Sequence, residues 1–216
     1  MHEELKSHKT PLRYPGGKSR AIYFLLEKMP SNISEYREPF LGGGSVALAV
    51  TKKYPDANII VNDLYDSLYN FWKHLQNDGN EIMDIVYDIK EKNNDIDKAR
   101  IVFENCKKNM ETHTGIDKAI DFYIINKCSF SGLTEVSSFS KSSSESNWTL
   151  GNISKLSKYS KLIKNWDIRN ESYENIINDD SFIYLDPPYD IHTSLYGKDM
   201  SMHKGFDHEL FANHIN

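Results

Sequence analysis

The chain has 216 residues with a formal net charge of −5, and 39% of its residues are hydrophobic. This length suits one large domain, or a domain with a smaller insertion. No apolar run approaches the roughly 18 residues that span a bilayer, and the N-terminus lacks the apolar core of a secretory signal. Cys106 and Cys128 form neither a metal-ligand spacing nor a disulfide framework. We therefore expect a soluble cytoplasmic protein with reduced thiols and no bound metal.

The charges are unevenly distributed along the chain. Residues 1–20 carry five Lys/Arg against two Asp/Glu, and residues 127–170 carry seven against three. Residues 78–121 are acidic, with eleven Asp/Glu against seven Lys/Arg. Binding to DNA requires a basic face and not a basic total. The negative net charge therefore does not exclude a nucleic-acid partner, although ordinary surface scatter also accounts for these sums.

Hydrophobic spacing predicts alternating strands and helices in the first 128 residues. In chain order we expect a helix at 19–29 capped by Ser19 and a glycine turn at 42–44 followed by a helix. A strand at 58–62 and a helix at 64–76 come next. Residues 80–128 should form polar-faced helices with breaks near 93–94 and 114–115.

Residues 129–154 are rich in serine and predict a long functional or disordered loop. The next segment, 155–164, spaces four lysines by three residues, which indicates either a basic helical face for phosphates or a solvated surface helix. A strand near 164–169, a helix and a strand at 182–185 follow. The prediction is an α/β fold with a Rossmann-like sheet, formed by residues 1–76 and 164–216 and interrupted by a helical insertion at 77–163.

The most informative motif is Asp186-Pro187-Pro188-Tyr189, which follows the apolar strand predicted at 182–185. Two prolines end a strand and fix a stiff, extended turn. A carboxylate, carbonyl groups and an aromatic ring are then held at the edge of an open α/β sheet where ligands bind. These groups suit a flat ring with an exocyclic amine. An ordinary strand-ending turn with a surface Asp is the alternative.

Two further features lie earlier in the chain, and each is weak alone. The glycines of the turn Glu38-Pro-Phe40-Leu-Gly42-Gly-Gly44-Ser45 let backbone N–H groups approach a ligand. Asp63 ends the next predicted strand, where Rossmann-type sites place an acid that binds ribose hydroxyls, although a turn or cap Asp is the simpler interpretation. The stretch Pro15–Ser19 is not a P-loop, because Leu12 stands where that motif needs glycine.

The motifs together resemble the Dam-type (D12 class) DNA adenine-N6 methyltransferases, which use S-adenosylmethionine. The resemblance covers most of the chain. It is carried by PLRYPGGK at 11–18, REPFLGGGSVAL at 37–48, VND at 61–63, NKCSFSGL at 126–133, NESY at 170–173 and DPPY at 186–189. It implies a Rossmann-like methyltransferase sheet with a target-recognition insertion, and double-stranded DNA as the partner.

The resemblance also implies roles by position. Tyr14 and Lys18 would contact the cofactor, the loop 38–45 would wrap its methionine part, and Asp63 would hold its ribose. Tyr173 would lie near the cofactor adenine, and Asp186 would touch both cofactor and target base, with Tyr189 stacking on that base. The expected DNA contacts are Arg13, Lys127, Phe130, Ser131, Leu133 and Glu135.

Two other kinds of base methylation were weighed. Cytosine-C5 chemistry needs a cysteine nucleophile, usually after proline, and neither Cys106 nor Cys128 follows one. Cytosine-N4 enzymes act on the same kind of amine but more often carry Ser where Asp186 stands. The nearest rival to adenine-N6 methylation is therefore cytosine-N4 methylation.

The chain departs from its relatives at two points. GATC-specific relatives carry Arg two residues after the Leu that corresponds to Leu133, where this chain has Glu135, and glutamate accepts from cytosine N4. This predicts a CATG-type site in place of GATC, or a surface Glu in a shifted register. The chain also stops at Asn216, before the helix, strand and hairpin that the resemblance implies. We therefore expect part of the sheet to be missing, which leaves an inactive DNA- or cofactor-binding remnant as the alternative function. A cognate restriction endonuclease is a conceivable partner.

Overall fold

The core of the fold is a parallel sheet of four strands in the order β3-β2-β1-β4. The computed structural model describes residues 9–132, 137–178, 180–189 and 206–215. The strands are β1 (Glu35–Glu38), β2 (Asn58–Asn62), β3 (Asp167–Arg169) and β4 (Phe182–Ile183). β1 lies between β2 and β4, and Arg37 of β1 is paired with Ile60 on one side and with Ile183 on the other.

Helices cover the sheet and build a separate layer beside it. Those within the described residues are α1 (Ile22–Lys28), α2 (Ser45–Lys53), α3 (Asp66–Lys92), α4 (Ile96–Asn109), α5 (Gly115–Cys128), α6 (Lys141–Asn147), α7 (Leu150–Ile153), α8 (Leu156–Leu162) and α9 (His208–Ile215). None of them is both long and apolar enough to cross a membrane.

The strand order creates the binding edge of the sheet. From β1 the chain proceeds to β2 and β3 on one side, and it returns to the other side of β1 as β4. At such a reversal the loops after neighbouring strands diverge and leave a crevice at the carboxyl ends. The loop after β1 begins with Pro39, and the DPPY turn follows β4 within three residues. The two motifs singled out in the sequence therefore meet at this edge.

The helical layer is held by α3 and α5. α3 consists of two helical segments that meet at a kink at Asp78, where the backbone angles are non-helical, so the predicted boundary at 77 lies next to this break. α5 was expected to be polar-faced, but its residues from Ala119 to Cys128 are all buried. Phe71 of α3 stacks on Tyr123 of α5 with ring centroids 6.0 Å apart. α5 is thus the central helix of this layer and not a surface helix.

The described part of the serine-rich segment differs from the prediction. Within residues 137–154 the chain forms α6 and α7 in place of a loop. Ser140 and Thr149 cap these helices by accepting the N–H groups of Ser143 and Asn152. Hydroxyl residues favour such caps, and the fully buried Trp148 between the two helices anchors them to the core.

Two other predictions were wrong. The helix expected between β3 and β4 is only a 3₁₀ turn at Tyr173–Asn175. α1 starts at Ile22, after Ala21, so Ser19 is not its cap. In both places the local spacing of apolar residues suggested more helix than the tertiary structure retains.

Candidate active site

A pocket opens at the carboxyl edge of the sheet, between the loops that follow β1, β2 and β4. It encloses about 950 Å³ of space including its open mouth. The structure brings most of the predicted catalytic and cofactor residues to its walls. These are Tyr14, Lys18, Glu38, Phe40, Gly42, Asp63, Tyr173, Asp186, Pro187, Pro188 and Tyr189.

Asp186 lies in the DPPY turn and is bonded to two neighbours. Its Oδ2 accepts a short hydrogen bond from Lys18 Nζ, and its Oδ1 lies 3.4 Å from the Tyr189 hydroxyl. Lys18 also donates to the Tyr189 hydroxyl at 2.6 Å and to the Gly16 carbonyl at 2.9 Å. Partial burial opposes the charge of Lys18, but the hydrogen bonds to Asp186 and Tyr189 outweigh it and raise the Lys18 pKa. This corner of the pocket is a charged, internally bonded cluster.

Glu38 ends β1 and is almost completely buried. Only 3% of its surface is exposed, and its Oε2 accepts from the Tyr36 hydroxyl at 2.7 Å. Burial raises the pKa of Glu38 to about 8, and the nearby Asp186 carboxylate adds to the shift. The carboxyl group is therefore mostly protonated at neutral pH, because an unpaired buried charge is costly.

Asp63 connects the end of β2 to the glycine turn. Its Oδ2 accepts from the Gly42 N–H at 2.8 Å, and its Oδ1 accepts from the Tyr65 N–H at 3.0 Å. Burial raises the pKa of Asp63 to about 6, against these two hydrogen bonds. Each oxygen keeps a lone pair, so the carboxylate can still accept from ligand hydroxyls above that pH.

The glycine turn is shaped by close contacts on two sides. A Cβ on Gly43 would lie 2.7 Å from the Cβ of Tyr14, and one on Gly44 would lie 2.7 Å from the Trp72 ring. Trp72 also donates its indole N–H to the Gly42 carbonyl at 3.1 Å. Gly44, a predicted cofactor residue, does not line the pocket. It precedes α2 with a left-handed φ of 66° and lets the turn pack against α3.

Aromatic rings form one wall of the pocket. Phe40 and Tyr173 lie 5.7 Å apart between centroids, and Phe206 and Phe211 pack against both. Phe211 belongs to α9, so the last described helix is attached to the pocket through this cluster. At these distances the rings contact one another, and together they form an aromatic wall on which a flat ring such as adenine can stack.

Asn62 was not predicted as a site residue. Its side-chain amide donates to the carbonyls of Pro39 and Glu171 at 3.0 Å, and its carbonyl oxygen accepts from the Glu171 N–H at 2.9 Å. It is 1% exposed. One buried side chain thus fixes the loops after β1 and β3 against each other. An Asn directly before Asp63, inside an otherwise apolar strand, was the available signal.

The predicted DNA-contacting turn lies next to the pocket. Phe130 is 64% exposed, and Ser131 adopts a left-handed φ of 55°. The backbone N–H of Arg13 donates to Asn126 at 2.9 Å, and the Asn126 amide donates to the Arg13 carbonyl at 2.7 Å. The Arg13 guanidinium donates to the Ser129 carbonyl at 2.7 Å. These bonds hold the turn against the N-terminal segment that carries Tyr14.

The surroundings of this turn are basic. Lys127 is only 6% exposed, and its pKa is lowered to about 7 by burial and by the charges of Arg13 and Lys155. The four lysines of the segment 155–164 are exposed, whereas Leu156 and Ile163 are buried. The predicted division between a basic side and an apolar side of the segment 155–164 is therefore observed. Leu133 and Glu135 lie outside the described residues.

Comparisons with known proteins identify the family of this chain. Residues 14–215 match the family described as D12 class N6 adenine-specific DNA methyltransferase. The type II methyltransferase M.MjaIII of Methanocaldococcus jannaschii is 26% identical in an alignment 200 positions long that covers 82% of this chain and 68% of that protein. The type II methyltransferase M.CviBI of Paramecium bursaria Chlorella virus NC1A is 24% identical over 86% of this chain and 71% of its own length. The modification methylase StsI of Streptococcus sanguinis is 26% identical over 87% of this chain but only 30% of its own length.

Proposed function

Because the chain belongs to the family of D12 class N6 adenine-specific DNA methyltransferases, we propose that it transfers a methyl group from S-adenosylmethionine to N6 of an adenine turned out of duplex DNA. The observation that carries the proposal is the meeting of Asp186, Asp63 and Glu38 at one pocket. These three carboxyl groups come from the ends of β4, β2 and β1, and each matches a different part of the two substrates.

The pocket residues fit the chemistry of the cofactor. Asp63 can accept from ribose hydroxyls, and the rings of Phe40 and Tyr173 offer a flat wall for the cofactor adenine. Lys18 can meet a carboxylate and Glu38 an ammonium group, so the amino-acid end belongs near the glycine turn. When bound, S-adenosylmethionine would supply an electrophilic methyl group on its sulfonium sulfur.

The DPPY turn suits the activation of an adenine amine. The N6 lone pair is delocalised into the ring, which makes the amine a poor nucleophile. Asp186 and the Pro187 carbonyl can accept its two N–H bonds, which draws the nitrogen toward tetrahedral geometry. The Asp186 carboxylate also stabilises the positive charge that develops on N6. Tyr189 can stack on the base, and much of the rate gain comes from holding the two reactants together.

The turn at 130–132 and its basic surroundings are the proposed DNA face. An extruded base costs a few kcal/mol of stacking, which contacts in the pocket offset. The exposed Phe130 ring is suited to contact the bases beside the gap that the extruded adenine leaves. Arg13 and α8 supply positive charge toward phosphates, whereas Lys127, also predicted as a DNA contact, is buried. For the recognised sequence we favour CATG over GATC, because a glutamate at position 135 can accept from cytosine N4.

The proposal is tested by modification-sensitive sequencing of DNA from a host that expresses this chain. We expect N6-methyladenine at one short sequence. N4-methylcytosine would instead establish the rival chemistry, and protection of GATC alone would contradict the CATG assignment. A restriction-modification role is proposed by analogy with the type II relatives, and the same strain can be examined for a matching nuclease activity.

A substitution tests the role of the DPPY turn. Asp186→Ala should lower labelled methyl transfer by about 100-fold or more, the usual cost of removing a preorganised electrostatic partner. Asp167→Ala is the control, because Asp167 lies at the exposed start of β3 and bonds to Arg169. Unchanged transfer in Asp186→Ala would rule out the proposed mechanism. If the wild-type chain binds DNA but transfers no methyl group, the alternative function of an inactive DNA-binding remnant is favoured.

A further inference from the structure

Lys18 links the residue proposed to receive the base with the part of the pocket proposed to receive the cofactor. Its ammonium group has three hydrogens, and the structure gives them three acceptors, which are Asp186, Tyr189 and Gly16. Both oxygens of Asp186 have a donor nearby, Lys18 at Oδ2 and the Tyr189 hydroxyl at Oδ1. Without substrates, each Asp186 oxygen that could accept from the adenine amine therefore already has a donor from the protein.

This arrangement is unfavourable for the reaction in two ways. The amine of an incoming base must compete with Lys18 and Tyr189 for the Asp186 oxygens. The ammonium charge also opposes the positive charge that develops on N6, because like charges repel at short range. Lys18 and Asp186 are each about a quarter exposed, so solvent weakens this effect without removing it.

The charges along the pocket wall indicate how Lys18 can be moved. Among the described residues that line the pocket, Lys18 is the one Lys or Arg, whereas four are acidic. A carboxylate that enters the pocket therefore meets a single side-chain cation to pair with. The glycine turn lies on the same wall as Lys18, since the Lys18 backbone N–H donates to Ser45 at 3.1 Å. The ammonium can exchange partners by rotation of its own side chain.

We propose that Lys18 is a positioning residue that couples the two substrates: it holds Asp186 in the empty site and releases it when the carboxylate of the cofactor takes over the ammonium. This inference rests on the proposed function. It makes base capture depend on cofactor loading, because Asp186 gains free acceptor sites and loses a neighbouring positive charge in the same step. By linkage, base capture strengthens cofactor binding by the same factor.

The coupling can be measured without methyl transfer. A duplex that carries 2-aminopurine at the target position reports base extrusion by its fluorescence, and anisotropy of a second dye reports total DNA binding. In the wild type, S-adenosylhomocysteine should raise extrusion about fivefold or more at equal DNA binding, as for a typical coupled site. Methylthioadenosine, which has the same nucleoside but no carboxylate, should not.

Lys18→Met separates the coupling from general damage. It should raise extrusion without any cofactor to the level that the wild type reaches with S-adenosylhomocysteine, and it should remove the further effect of that ligand. Lys18→Arg, which keeps the charge, should retain the coupling. Cofactor-free extrusion in Lys18→Met that is equal to or below the wild-type value overturns the proposal. A wild type that binds neither S-adenosylhomocysteine nor duplex DNA contradicts the proposed function instead.

Discussion

At the scale of single residues, Glu38 shows how burial prepares a group for a charged ligand. Its carboxyl group receives a hydrogen bond from Tyr36 and has a pKa of about 8. An ammonium group placed beside it favours the ionised form and lowers that pKa. At a pH between the pKa of the ligand-bound Glu38 and that of the free Glu38, ligand binding therefore releases the Glu38 proton.

We therefore predict that cofactor binding at pH 7 releases protons. Calorimetric titration with S-adenosylhomocysteine in buffers of different ionisation enthalpy should show up to about one proton released per ligand. Glu38→Gln has no proton to release and should reduce this number toward zero. Release that is identical in the variant would show that Glu38 does not meet the ammonium.

Asn62 offers a second test at this scale. Asn62→Ala leaves the carbonyls of Pro39 and Glu171 without their donor and should lower the free energy of unfolding by about 1–3 kcal/mol. It should also weaken cofactor binding, since both loops line the pocket. Asn58→Ala is a matched control in the same strand, because Asn58 is exposed and its side-chain amide donates to the partly exposed Glu35. Denaturant titrations measure the free energy of unfolding of both variants. Equal losses of stability would contradict the proposed role of the buried Asn62 side chain.

At the scale of elements, a segment's hydrophobic pattern predicts its structure well where that pattern reflects the burial of the segment. The strand predicted at 58–62 coincides with β2, because three consecutive apolar residues are buried on both faces of the sheet. β1 received no strand prediction of its own. The sequence Glu35–Glu38 looks polar, and its central position depends on the buried pair of Tyr36 and Glu38. Hydropathy cannot detect a strand whose buried residues are a hydrogen-bonded acid and phenol.

The contact between α3 and α8 gives a prediction for element packing. Gly79 faces Ser160, and an added Cβ would lie 2.6 Å from the Ser160 hydroxyl. Gly79→Ala should therefore lower the free energy of unfolding by about 1–3 kcal/mol through overpacking. Gly151→Ala in α7 is the control, because nothing lies within 4 Å of its added Cβ. The control should be neutral or stabilise by up to about 1 kcal/mol. Thermal unfolding that ranks the two variants the other way would contradict this packing.

At the scale of the whole molecule, separated segments of the chain converge on one face. Motif order in the sequence was enough to predict that Asp63, Tyr173 and Asp186 share a site. It was not enough to predict the bond between Lys18 and Asp186, which are 168 residues apart. Side-chain pairing across such a distance depends on the completed fold and leaves no periodic signal.

The basic face predicts a salt dependence for DNA binding. If the exposed lysines of α8 contact phosphates, Lys158→Gln combined with Lys161→Gln should reduce the slope of log affinity against log salt by about 2. Lys92→Gln with Lys108→Gln is the control, since these exposed lysines lie in the acidic segment 78–121. Fluorescence anisotropy at several salt concentrations measures both slopes. An unchanged slope in the α8 variant would show that α8 is a solvated surface helix that does not contact phosphates.

The pairing of Arg13 with Asn126 has a practical consequence for redesign. The peptide that carries Arg13 exchanges two hydrogen bonds with Asn126 of α5, which lies in the predicted insertion, and the adjacent Tyr14 packs on the glycine turn. A chimaera that imports only the segment 77–163 from a relative would join a foreign recognition turn to a native N-terminal segment. Its designers should transplant residues 9–18 together with the predicted insertion, because the two segments are hydrogen-bonded to each other although they are far apart in the sequence.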